Sequence, residues 1–556
     1  MIEGSRMMLQ QEVSTLWNKL WKSHDETKSL LTLFVKPKKI EEKVKREMNT
    51  KISKTDGGGP NSKMPRYQTR QWIGLILGPL LFMITLLYFH PEGMTEGARG
   101  VLASTLWVAT WWITEAIPIP ATSLLPIVLL PLTGAIEMGQ VTSAYGDGTI
   151  FLFMGGFILA LAMEKWGLHK RIALSIILLI GTSTKRIILG FMVATGFLSM
   201  WISNTATAMM MMPIGLAIIY QVRDSMKATG EKEDKGFGKA IMLGIAYSAS
   251  IGGLGTLIGT PPNAIFAANV NKLYDTQISF GGWMLFGVPI AVGLLILAWI
   301  YLVKIAFPLK MKSLPGGREV VQAQLRDLGK MTFEEKLVLI VFSATALSWI
   351  TRTFVIQKFI PTMNDTIIAI IAGVLLFVLP SKDPKKVRLL DWNDAKNLPW
   401  GILLLFGGGL AIAAGFKETG LALWIGEQLT VLNGLHLLVV LLIVATIVLF
   451  LTEITSNTAT ATMLFPVMAS LALALDVHPY TLMIAAGIAS SCAFMLPVAT
   501  PPNAVVFGSG YLKIGDMVKA GFWINLICIL LIPIMIYYFL PVVWDIDLFK
   551  FPAEFK

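Results

Sequence analysis

Ser203-Asn204-Thr205-Ala206-Thr207-Ala208 and Ser456-Asn457-Thr458-Ala459-Thr460-Ala461 are one phrase written twice in a chain of 556 residues. Each copy lies within a long apolar segment, and each is followed by a second polar island. These are Gly259-Thr260-Pro261-Pro262-Asn263-Ala264 and Ala499-Thr500-Pro501-Pro502-Asn503-Ala504. A two-part phrase repeated in order marks a duplicated structural unit. Lipid-facing segments do not tolerate such polar groups, so the islands are expected to line one interior site.

The rest of the composition agrees with a membrane setting. Hydrophobic residues make up 54% and charged residues 15%, against roughly a quarter charged in soluble proteins. The mean hydropathy is +0.66, and apolar runs long enough to cross a hydrocarbon core of roughly 30 Å recur along the chain. The net charge of +11 reads as Lys and Arg gathered in cytoplasmic loops, not as a nucleic-acid surface. Cys492 and Cys528 both fall in apolar segments, with neither a disulfide framework nor zinc spacing.

The duplication extends outward from the triplets. Phe153 and Phe406, Gly167-Leu168 and Gly420-Leu421, and Ser203 and Ser456 all keep one offset (406 − 153 = 420 − 167 = 456 − 203 = 253). Ile150 to Met163 and Ile402 to Gly415, each with paired glycines, are short for a full crossing and are expected to open each copy as a re-entrant hairpin. The fold expected is all-α and polytopic, with about eleven transmembrane helices plus two re-entrant hairpins.

Residues 1–70 form a basic tail in which Val13, Leu16, Trp17, Leu20 and Trp21 recur at helical spacing, a pattern for an amphipathic helix on a membrane surface. Residues 71–310 hold the first membrane half, 311–336 a basic connector, 337–545 the second half and 546–556 a C-terminal tail. The basic tail precedes a first loop, Pro91 to Gly100, whose one basic residue is Arg99. That asymmetry puts the N-terminus in the cytoplasm and the protein in the cell membrane as a multi-pass chain. Glu115 reads as an interfacial or helix-end carboxylate. Glu453 has Met200 at its repeat position (453 − 253 = 200), which leaves open a hydrogen-bonded structural role or a coupling role. His169, His436 and His478 stand singly at loop or helix edges.

The islands suit ion and anion binding. Ser, Asn, Thr and Gly make a helix interruption tolerable where it borders a cavity. Unwinding frees carbonyls for a hard cation and leaves N–H groups at the next helix start for an anion. Pro261-Pro262 and Pro501-Pro502 enforce a second break and suit the first turn of a new helix. Neither motif contains Arg or Lys, so a dianion there is offset by bound Na⁺, helix ends and hydroxyl or amide donors. Sodium-dependent binding follows from that need.

Both Ser-Asn-Thr motifs, both Thr-Pro-Pro-Asn motifs and Trp111-Trp112-Ile113-Thr114-Glu115-Ala116-Ile117-Pro118 resemble the divalent anion/sodium symporter family over roughly residues 70 to 545, and closely its bacterial sodium–dicarboxylate cotransporters. The resemblance implies an inverted repeat, a homodimer of scaffold and transport domains, and an elevator movement. It implies one sodium site from Ser199, Asn204 and the backbone at Gly259, and a second from Thr452, Thr455, Asn457 and the backbone at Ala499. It further implies substrate contacts from Ser203, Asn204, Thr205 and Thr260 on one side, and from Ser456, Asn457, Thr458, Thr500 and Pro501 on the other. The expected activity is Na⁺-coupled symport of succinate, malate or fumarate. A sodium-independent dicarboxylate exchanger and a citrate or sulfate carrier are the alternatives. An enzyme is not expected: neither triplet has a nearby His to activate its Ser, and no zinc-protease, phosphate-loop or nucleophile-elbow motif occurs.

Overall fold

A computed structural model describes residues 67–555 except 182, 229–234, 310–316 and 431–433. The amphipathic helix expected in the N-terminal tail lies outside the described residues. Among the described residues the chain is helical, with one isolated bridge between Pro380 and Arg388. Eight helices are long and apolar enough to cross a membrane, and shorter apolar helices fill the remainder.

α1 (Thr69–Tyr88) and α2 (Glu96–Thr114) pack side by side. Gly74 and Gly78 let α2 approach, and Trp111 Nε1 donates to the Gly74 carbonyl at 2.9 Å. Thr95 caps α2 by accepting the Ala98 N–H. Glu115 closes it in the left-handed region at φ 48° and pairs with Arg70 at 3.0 Å, so this carboxylate serves a helix end. Short helices α3 (Leu125–Leu132) and α4 (Met138–Ala144) lead into α5 (Gly148–Lys165) and α6 (Leu168–Ile180). α7 (Thr184–Ser199) and α8 (Asn204–Ala228) flank the first triplet, and α9 (Lys235–Gly253) and α10 (Pro261–Tyr274) flank the first Thr-Pro-Pro-Asn. α11 (Phe280–Tyr301), α12 (Phe333–Thr351) and α13 (Asp365–Val378) carry the chain to the second half.

There the order repeats: α14 (Trp400–Glu418), α15 (Leu421–Leu429), α16 (Leu437–Thr452), α17 (Asn457–Ala474), α18 (Pro479–Ser490) and α19 (Pro501–Phe507), followed by α20 (Ile514–Ile534). Helix bounds keep the offset: α7 and α16 both start and end 253 residues apart (437 − 184; 452 − 199). Gly167 and Gly420 enter α6 and α15 with φ 72° and 75°, a left-handed turn that glycine makes without strain. Beyond the triplets the offset falls to 240 (501 − 261), so the second copy is shorter there by 13 residues (253 − 240).

The glycine pairs are not where the chain reverses. α5 and α14 are continuous helices of 18 and 19 residues. Their glycines admit close neighbours instead: a Cβ at Gly155 would stand 2.7 Å from the Ala369 backbone, and one at Gly408 2.6 Å from the Ser123 carbonyl. Small residues at helix crossings serve this purpose in membranes. The reversals fall at the triplets, between α7 and α8 and between α16 and α17.

The two copies enter from opposite faces. Lys239, near the start of α9, pairs with Asp516, near the start of α20, at 2.6 Å, and its ammonium lies over the Phe307 ring beyond α11. Trp299, near the end of α11, donates to the Lys185 carbonyl at the start of α7. His436, the N-cap of α16, instead stacks on Tyr537 beyond the far end of α20. The first copy therefore starts at one end of α20 and the second at the other, which makes the repeat inverted. His478 caps α18, and burial lowers its pKa to about 4, so a neutral imidazole accepts the Tyr480 N–H.

α7 and α9 meet through Gly196 and Gly252, where a Cβ on Gly252 would stand 2.5 Å from the Gly196 Cα. Gly252→Ala is expected to destabilise the protein by about 1–3 kcal/mol through overpacking. Gly139→Ala, whose Cβ would meet nothing within 4 Å, is expected to leave the thermal midpoint in detergent unchanged.

Candidate functional site

Four helix breaks converge. α10 packs on α17, and α8 and α9 pack on α19, so each copy's second motif lies against the other copy. Thr260 Oγ1 and Ser491 Oγ, 3.4 Å apart, join the two proline-bearing breaks directly. Thr260 and Thr500 have nearly the same extended N-cap backbone, with φ,ψ of −141°,141° and −139°,148°. The two prolines that follow each occupy helix positions with no N–H to satisfy.

At the first triplet, Ser199 Oγ donates to the Ala249 carbonyl at 2.6 Å and bonds to the Asn204 side chain. One terminus of the Asn204 amide also lies 3.1 Å from the Ala249 carbonyl oxygen and 3.2 Å from that of Gly259. With nitrogen there, its two N–H groups and the Ser199 hydroxyl supply protons for the surrounding oxygens. With oxygen there, four oxygens face one another with a single hydroxyl proton among them, which is the donor set of a small hard cation.

The second triplet repeats this. Thr452 Oγ1 has one proton and faces two acceptors, Asn457 Oδ1 at 2.7 Å and the Ser490 carbonyl at 2.8 Å. With oxygen at that terminus of Asn204, both clusters hold more acceptors than protons. Thr455, expected at the second cation site, turns its hydroxyl to the Leu451 carbonyl and to Thr460 Oγ1 at 2.6 Å. Ala499 sits at the register position of Gly259 (499 − 240) and is buried.

The expected substrate residues differ in exposure. Ser203 and Pro501 are exposed, and Asn204, Thr205, Ser456, Asn457 and Thr458 are half-buried, whereas Thr260 and Thr500 are buried. Thr500 Oγ1 accepts the Asn503 N–H at 3.3 Å. Among the described residues Arg352 is the buried side chain with a fixed positive charge, and it pairs with Asp365 at 2.7 Å. A dianion at the triplets therefore meets hydroxyls, amides and helix starts, with no basic side chain built into either motif.

Residue-by-residue reading missed the groups that hold the breaks. Asn263 Nδ2 donates to the Gly253, Leu254 and Thr256 carbonyls, and Asn503 Nδ2 to those of Ala493 and Leu496. Their repetition within Pro-Pro-Asn was the available signal. Thr256 Oγ1 donates to the Met200 carbonyl and accepts the Gly259 N–H. Leu496 occupies its place in the second copy (496 − 240 = 256), so no repeat pointed to it.

The family described as the sodium:sulfate symporter transmembrane region matches residues 69–545. A protein named sodium-dependent dicarboxylate transporter SdcS in Staphylococcus saprophyticus is 53% identical over 485 residues, covering 86% of this chain and 93% of its own. Its namesake in Staphylococcus aureus is 53% identical over 492 residues, 88% of this chain and 95% of that one. The solved structure of MtrF from Neisseria gonorrhoeae has a TM-score of 0.51 at 13% identity, covering 86% of this chain and 96% of that chain, a likeness of fold alone.

A Cβ at Gly253 would stand 2.9 Å from the Gly259 carbonyl oxygen and 3.0 Å from the Asn204 amide, inside the first oxygen cluster. Gly253→Ala is expected to weaken sodium-dependent thermal stabilisation of purified protein at least about tenfold in sodium concentration. Gly293→Ala, with open space at its Cβ, is expected to match the unmodified protein.

Proposed function

The chain belongs to the sodium:sulfate symporter family, transporters and not enzymes, and from that premise we propose that it takes up C4-dicarboxylates (succinate, malate, fumarate) together with Na⁺. The observation that carries this reading is the pair of oxygen-lined clusters, one at each triplet and each beside helix starts. The 53% identity to proteins named sodium-dependent dicarboxylate transporters over most of the chain supports the same substrate class.

Coupling follows from charge. Sodium held by Ser199, Asn204 and the Gly259 backbone, and a second ion held around Thr452, Asn457 and the Ala499 backbone, offset the two carboxylates. Ser203, Asn204, Thr205 and Thr260 take one carboxylate, and Ser456, Asn457, Thr458, Thr500 and Pro501 the other. Without the ions the dianion would enter a pocket that offers dipoles but no full positive charge. The helices around the four breaks travel as a transport domain across a scaffold built from the remaining helices, in a homodimer in the cell membrane with a cytoplasmic N-terminus. The basic residues gathered before α1 and in the connector support that orientation.

In proteoliposomes, labelled succinate is expected to accumulate only under an inward Na⁺ gradient. Equal uptake with K⁺ or Li⁺, or uptake only after preloading with dicarboxylate, overturns symport. Asn204→Ala and Asn457→Ala each remove a side chain shared by cation and substrate and are expected to cut initial uptake on the order of tenfold or more. Competition by citrate or sulfate stronger than by malate would shift the substrate class.

A further inference from the structure

Glu453 lies one residue after Thr452, and its side chain is 3% exposed. Its contacts are all N–H donors. Oε1 accepts from the Phe494 amide at 2.8 Å, the Met495 amide at 2.9 Å and Asn525 Nδ2 at 2.7 Å, and Oε2 accepts from the Leu496 amide at 3.2 Å. Three consecutive backbone amides converging on one carboxylate form an anion-binding nest. They belong to the unwound run between α18 and α19 that ends at Ala499 and Thr500.

The first copy solves the same problem without a charge. Met200 stands where Glu453 does, and Thr256 where Leu496 does. There the Thr256 hydroxyl bridges the Met200 carbonyl and the Gly259 amide, pinning the equivalent run. One copy thus joins positions 200 and 256 through a neutral hydroxyl, and the other joins the matching positions 453 and 496 through a carboxylate. Among the described residues no basic side chain is paired with Glu453, whose backbone adjoins Thr452 of the second oxygen cluster.

Building on the sodium sites proposed above, we propose that Glu453 is a positioning residue: its carboxylate holds the second unwound run in place, and its negative charge makes the second sodium site the tighter of the two. The physical cause is plain. A charge in a low-dielectric interior attracts a cation at Thr452 and Asn457 far more strongly than it would in water, whereas the first site has only dipoles.

The test uses full-length protein in proteoliposomes, with the sodium dependence of succinate uptake measured at fixed succinate. Unmodified protein is measured first, and a failure to depend on sodium there would sink the symport reading and not this one. Glu453→Gln keeps the shape and removes the charge. The double change Glu453→Met with Leu496→Thr installs the first copy's neutral arrangement. Both are expected to raise half-saturating sodium on the order of tenfold, with the maximal rate at saturating sodium held within about twofold. A sodium curve like the unmodified one in either folded variant overturns the proposal. So does failure of both variants to fold, which would assign the carboxylate to the fold alone.

Discussion

The governing constraint is that a backbone inside hydrocarbon must find hydrogen-bond partners within the protein, since each unmet N–H or C=O costs several kcal/mol. Breaking a helix at mid-membrane creates many such groups at once. The chain meets the demand with side chains that reach back across each break: Asn263 on three carbonyls, Asn503 on two, Thr256 on one carbonyl and one amide, Glu453 on three amides. Beside these braces lie the oxygen-lined clusters at Ser199–Asn204 and Thr452–Asn457.

The repeat was legible because duplication preserves register, whereas its inversion was implied by the resemblance. An offset of 253 read from Phe153, Gly167 and Ser203 is the offset of the helix bounds themselves. The reversals were misread because a glycine pair in a short apolar run can mean either a turn or a close crossing, and composition does not tell these apart. Gly155 and Gly408 turn out to seat Ala369 and Ser123.

Site residues divide along the same line. Asn204 and Asn457 were readable because each is written twice in the same setting, and both fall in the oxygen clusters. Thr256 and Ser491 were not, because each has a different residue at its repeat position, and a polar side chain with no copy looks like any other. Thr455 was named for the cation by resemblance alone, and its hydroxyl is bonded to the Leu451 carbonyl and Thr460. A sequence names the chemistry available at a break but not which lone pairs the backbone has already claimed.

The two copies are unequal in length. α8 and α9 run for 25 and 19 residues, and α17 and α18 for 18 and 12. A perfect duplicate facing the other way would render the inward-open and outward-open forms degenerate, each the mirror of the other in free energy. In the transport cycle proposed above, the additional turns in the first copy lift that degeneracy before any ligand binds.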